Sequence, residues 1–271
     1  MNDKKTIISV HAPKARKPQT KDELGFFLAG LIDADGHITQ LGYVQIDFNI
    51  REISTAYYIK KCVGYGEVQQ ERVRLSARYR CTNTAGLLKI ANLIRHKLKH
   101  DGKVHQFNTR LGPLLEENTS SEINFTQHGL LNNHWCAGFI QGGGRLTLIL
   151  GYQKNKSFKP TMSIQISQKK PHLLTLIQNT FGGTVGYRET QDTYYYISNS
   201  FTNAAKFIQY LDKYQLVGAQ LTQYWIWRKA YLVYQEGGHF TDNGQQKLVK
   251  FKASLSKLRE AKRDHSRLMQ F

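Results

Sequence analysis

Two apolar segments, each built around an Ala-Gly pair, recur 108 residues apart and constrain the fold more than any other feature of this chain. The first reads Leu28-Ala29-Gly30-Leu31-Ile32-Asp33-Ala34-Asp35-Gly36. The second reads Trp135-Cys136-Ala137-Gly138-Phe139-Ile140-Gln141-Gly142-Gly143-Gly144. Glycine inside a helix costs about 1 kcal/mol against alanine. Small residues at matching positions let two helix backbones approach below the usual separation of about 8–10 Å. The pairs therefore predict two sister helices packed side by side with converging C-terminal ends. The stretches downstream of the two copies are also similar. After the first come alternating stretches at 37–50, a helix-like segment at 53–63, and Gly64-Tyr65-Gly66. After the second come alternating stretches at 145–153 and 161–169, a helix-like segment at 172–181, and Gly182-Gly183. A repeat this long implies two related halves rather than a solenoid.

The first segment ends in two acids and a glycine. The carbonyl end of a helix is partly negative, so Asp33 and Asp35 stand where a cation would relieve an unfavourable field. Hard divalent ions favour carboxylate and carbonyl oxygens of this kind. Residues 28–36 match, letter for letter, the name-giving motif of the LAGLIDADG homing endonucleases, and the chain resembles that family from Glu23 to about Gln235. The resemblance implies an α+β fold: a pseudo-twofold pair of αββαββα halves whose antiparallel sheets form a saddle for long target DNA. It implies that the final acid of each motif holds a divalent metal, Mg²⁺, and helps hydrolyse one strand. Carried over, Asp35 is the catalytic metal ligand, and Asp33 supports the helix end and counts with the metal site. Lys97 is taken as the pocket lysine, with Lys99 and Lys103 as further basic candidates. Gln168 resembles a residue that positions water, with Glu52 as its altered partner.

The second copy departs from this pattern. Gln141 and Gly143 occupy the places of Asp33 and Asp35, and Gln220 occupies the place of a pocket lysine. Gly143 and Gln220 thus mark lost catalytic positions, and one Mg²⁺ site at most is expected. Cleavage of both strands is expected to be lost or reduced to nicking, which leaves enzymatic activity open. Relatives that lose cutting bind structured RNA, as intron maturases do. A working site-specific DNA endonuclease and a structural interaction module are the alternatives. The intact Asp33-Ala34-Asp35-Gly36 argues against the module.

Charge narrows the partner. The 271 residues carry 38 Lys and Arg against 20 Asp and Glu, a net charge of +18. Such an excess points to a polyanion, either structured RNA or long duplex DNA. A membrane is not expected, because no run of about 18 apolar residues exists. A monomer, alone or within a ribonucleoprotein, is expected. Three cysteines without zinc spacing suggest a reduced, intracellular setting. An organellar location, mitochondrion or plastid, rests only on the resemblance.

Period-two alternation predicts half-buried strands with polar faces. In 72–82, Arg72, Arg74, Arg78 and Arg80 share one face, with neighbours about 7 Å apart. Gln45, Asn49 and Arg51 share a face of 45–51, and Arg145 and Thr147 a face of 145–150. Ser163, Gln165, Ser167 and Lys169 share a face of 161–169. These residues and Arg188 are the expected nucleic-acid contacts, with Tyr187, Tyr194 and Tyr196 as weaker candidates. Helices are expected at 84–98, 201–211, 219–235 and 253–268. The expected organisation is a basic flexible arm (1–21), a first half (22–111), a linker (112–133), a second half (134–236) and a basic extension (237–271).

Overall fold

The computed structural model describes residues 7–14, 16–71, 75–115, 129–152 and 157–260. The first half runs α1 (Lys21–Asp35), β1 (Gly36–Ile38), β2 (Val44–Asn49), α2 (Ile53–Val63), β3 (Glu67–Glu71), β4 (Ser76–Cys81), α3 (Thr84–Ile94) and α4 (Asp101–Arg110). The second runs α5 (Trp135–Gly143), β5 (Gly144–Tyr152), β6 (Phe158–Gln168), α6 (His172–Phe181), β7 (Thr184–Arg188), β8 (Thr193–Ser198), α7 (Phe201–Lys213) and α8 (Gly218–Gln235), and then comes α9 (Asp242–Glu260). Both sheets are antiparallel and share one topology, β1-β2-β4-β3 and β5-β6-β8-β7. The expected pair of αββαββα halves is therefore observed.

The sister helices touch through the glycines. A β-carbon added at Gly30 would lie 1.9 Å from the Trp135 carbonyl oxygen, and one at Gly138 would lie 1.9 Å from that of Phe27. Phe27 and Trp135 are themselves 108 positions apart, so the clash is reciprocal across the pseudo-twofold axis. Nothing larger than hydrogen fits at either place. α1 begins with a capping box in which Thr20 accepts from the Glu23 amide and Glu23 accepts from the Thr20 amide, satisfying donors the helix leaves open. The rest of α1 from Leu24 to Asp33 is buried, and Leu28, Ala29, Leu31 and Ile32 are fully so.

Several expectations need correction. The strand expected over 72–82 begins only at Ser76, after Leu75 takes a left-handed backbone (φ 49). Arg72 and Arg74 lie outside the described residues, so the arginine row is seen only at Arg78 and Arg80. The helix expected over 84–98 stops at Ile94. A turn through His96 (φ 61) leads to α4, which the apolar spacing does not reveal.

The described part of the N-terminal arm is strapped to the second half rather than free. Ile8 is buried, and its amide and carbonyl pair with the Gln235 side chain at 2.8 and 3.0 Å. Arg228, held by Asp212, donates to the Ser9 and His11 carbonyls. The expected helix at 253–268 starts earlier, as α9, and its residues past 260 lie outside the described part. α9 buries Leu248 and Leu255 and packs on α8 and β5. Most of the expected linker, 116–128, is likewise outside. No described helix is long and apolar enough to cross a membrane.

Candidate active site at the paired helix tips

The first tip separates its two acids by burial. Asp33 is 1% exposed and accepts three hydrogen bonds: from the Lys99 amide (2.7 Å), the His100 amide (3.2 Å) and Trp135 Nε1 (2.8 Å). Burial pushes its carboxyl up to about 7 against the pull of these donors. Of the two roles expected for Asp33, its surroundings match support of the helix end. Its oxygens tie α1 to the turn before α4 and to the partner helix, out of reach of solvent. Asp35 is exposed. Surrounding protein atoms and the neighbouring Asp47 raise its carboxyl to about 6, while Lys103 opposes the shift. A carboxylate held up partly by a second carboxylate is a place a divalent cation would relieve, so Asp35 fits the expected metal position. Among the described residues, no group of three or more His, Cys, Asp or Glu is placed to hold a metal. Asp35 would thus share an ion with water or phosphate oxygens.

Lys97, expected as the pocket lysine, lies away from this tip. Lys97 pairs with Asp22 at 3.2 Å and lies over the Phe26 ring, at the start of α1. Asp22 and Asp35 are roughly 20 Å apart along a helix rising 1.5 Å per residue. Lys103 instead acts electrostatically on both Asp33 and Asp35, and burial pulls its ammonium down. Counted from the helix start, Lys103 in α4 and Gln220 in α8 hold the same third position. The helix break at His96 shifts the register and puts Lys103, not Lys97, at the tip.

The second tip carries amides where the first carries its acid and lysine. Gln141, in the place of Asp33, accepts from the Val217 amide (2.9 Å) and donates to Glu52 (3.1 Å) and Thr55 (3.0 Å). Gln220 donates to the Gly144 carbonyl at 2.6 Å, and its own amide points to Glu52 at 3.4 Å. Burial raises the Glu52 carboxyl despite these donors. Gly143 brings no carboxylate. A β-carbon there would sit in ordinary van der Waals contact with Gln168 Nε2 (3.6 Å) and the Ile166 side chain (3.7 Å). That Nε2 donates to the Ala34 carbonyl at 3.0 Å, so Gln168 from the second half reaches the first tip. Glu52 reaches the second tip from the first half. In sheet register, however, Gln168 corresponds to Phe48, not to Glu52.

Around the tips, the residues of the expected polar rows differ in exposure and in partners. Arg78 pairs with Asp47 at 2.6 Å, directly across the β2–β4 ladder, and Gln45 donates to the same Asp47. Arg80 lies over the Tyr43 ring. Asn49 is exposed but accepts from the Arg51 amide. Arg145 and Ser167 are exposed, and Thr147 and Gln165 half-buried. Lys169 donates to the Asp192 carbonyl. Ser163, opposite Thr147, is buried (4% exposed) rather than presented to solvent. Tyr196 is a core residue bonded to the Gly182 carbonyl, so Tyr195, stacked with Arg188, takes its place on the open face. The period-two rule would have found Tyr195 from its pairing with Ser167.

The sequence model described as LAGLIDADG endonuclease matches residues 136–231, the half whose motif is degenerate. An uncharacterized cox1 intron-2 protein of 37.2 kDa from Schizosaccharomyces pombe is 37% identical over 246 residues, 90% of this chain and 76% of that protein. The intron-encoded RNA maturase bI4 of Saccharomyces cerevisiae is 26% identical over 173 residues, 62% of this chain and 26% of the maturase. A double lysine mutant of I-SmaMI superposes with a TM-score of 0.67 at 19% identity, covering 86% of this chain and 99% of that one. The LAGLIDADG meganuclease I-AabMI bound to uncleaved DNA gives 0.66 at 18% identity, covering 84% and 98%.

Proposed function

The chain belongs to the LAGLIDADG endonuclease family, and from that premise we propose that it binds nucleic acid across its two sheets with one pocket able to cut. The observation that carries this reading is the asymmetry of the tips: Asp35 with Lys103 on one side, Gly143 with Gln220 on the other. Asp35 would hold a Mg²⁺ ion, which when bound would supply water activation and charge neutralisation at the scissile phosphate. The protein's part is positional. Asp33 and Trp135 lock the tip, Gln168 fixes the Ala34 carbonyl beside Asp35, and Lys103 places a positive charge near the reacting phosphate. Losing a charged group of this kind costs on the order of 10²–10³-fold in rate, and the second pocket lacks both its acid and its lysine. One strand is therefore cut and its complement is not.

Structured RNA is the partner we favour, as in an intron maturase acting in an organelle. The likeness to an RNA maturase and the absence of a second acid support it. The test uses supercoiled plasmid carrying the exon junction of the host intron, with Mg²⁺, beside filter binding to the intron RNA. Tight, salt-sensitive RNA binding with only nicked circles, lost in Asp35→Asn, is expected. Linear plasmid at modest protein excess overturns the reading.

A further inference from the structure

The C-terminal helix α9 brings Arg259 to the second tip, where the side chain donates to the Leu146 carbonyl on edge strand β5. Arg145 is the preceding residue on that strand. Arg51 adjoins Glu52, which bonds Gln141, and Gln220 links Glu52 to the Gly144 carbonyl. Three arginines are thus carried on segments that meet at the second tip. They act on each other: burial, Arg145 and Arg51 together bring Arg259 down to about 10. Among the described residues none of the three makes an ion pair, and the nearby Glu52 is occupied by Gln141, Thr55 and the Gln220 amide. Arg145 is exposed and the other two are half-buried. Like charges crowded without a counter-ion destabilise the fold, and the planar fork of arginine suits phosphate oxygens.

We propose that Arg51, Arg145 and Arg259 clamp one backbone phosphate at the tip of α5, where Gly143 brings no carboxylate to repel it. The clamp needs no divalent ion. It makes α9 part of the nucleic-acid interface and grips the uncut strand while the first pocket acts on the other. This rests on the nucleic-acid reading above.

The test measures how affinity for a random-sequence duplex of about 30 base pairs depends on salt, using the full chain. Each phosphate neutralised contributes about 0.9 to the slope of log K against log salt. Arg145→Gln and Arg259→Gln are each expected to lower the slope by up to about 0.9 and weaken binding roughly 5- to 10-fold at fixed salt, with EDTA making no difference. Arg259→Lys keeps the charge and should keep the slope, which separates phosphate binding from loss of α9 packing; melting temperature checks the fold of each variant. Unchanged slopes in both glutamine variants overturn the clamp and leave the nucleic-acid reading standing. An equal drop for Lys206→Gln, an exposed lysine of α7, shows diffuse attraction and also overturns the clamp. A parent chain that binds no duplex and no intron RNA overturns both.

Discussion

At position 35 an exposed carboxylate meets the field of Lys103, and at position 33 an identical side chain is sealed from water. Two acids two residues apart therefore fail differently when mutated. Asp35→Asn should leave the melting temperature nearly unchanged and abolish nicking. Asp33→Ala should unfold the tip, because it strands three donors, each costing about 1–3 kcal/mol when left buried and unpaired; urea denaturation should show a loss of at least about 3 kcal/mol. Lys103→Ala should slow nicking by about 10²-fold or more, whereas Lys97→Ala, at the far end of α1, should nick at the parent rate. Equal effects of the two lysine variants in a nicking time course would contradict the pocket assignment.

Among the elements, the α1–α5 contact and the Glu52 network make separate expectations. Gly30→Ala forces a β-carbon into the Trp135 carbonyl and should cost about 3 kcal/mol or more, read as a fall in denaturation midpoint. At the second tip, burial raises Glu52 above its ordinary 4.5. The folded state then keeps a proton that the unfolded chain has released, so this group's contribution to stability falls as pH climbs from about 4.5 through the raised value. Glu52→Gln removes that term. It should match the parent near pH 4 and exceed it at pH 8 in chemical denaturation. The sequence displayed the α1–α5 contact plainly, since glycine within an apolar helix has few other uses. It hid α4. The turn at His96 uses neither glycine nor proline, so the apolar spacing of α3 reads on through it and Lys97 looks like a tip residue. The strand break at Leu75 is hidden for the same reason: a non-glycine residue in the left-handed region leaves no compositional mark.

Over the whole molecule, the two halves share topology and differ in what they present. That the order β1-β2-β4-β3 recurs as β5-β6-β8-β7 follows from the repeat, which the chain itself displays, whereas the αββαββα plan of each half came from the family resemblance. The strap at 7–14 was not, and α9 was legible as a helix only from 253 on; the contacts of each, with Gln235 and Arg228 for the strap and β5 for the helix, left no mark in the sequence. Both attachments lie on the second half, the half without a carboxylate at its tip. EDTA should abolish nicking while leaving binding intact, since the sheets and arginines hold nucleic acid without metal. The most direct measurement labels the two strands of a bound target duplex separately and resolves the Mg²⁺-dependent products on a denaturing gel. One strand cut, with its complement intact at long times, is predicted. Comparable cutting of both strands would contradict a molecule with a single working tip.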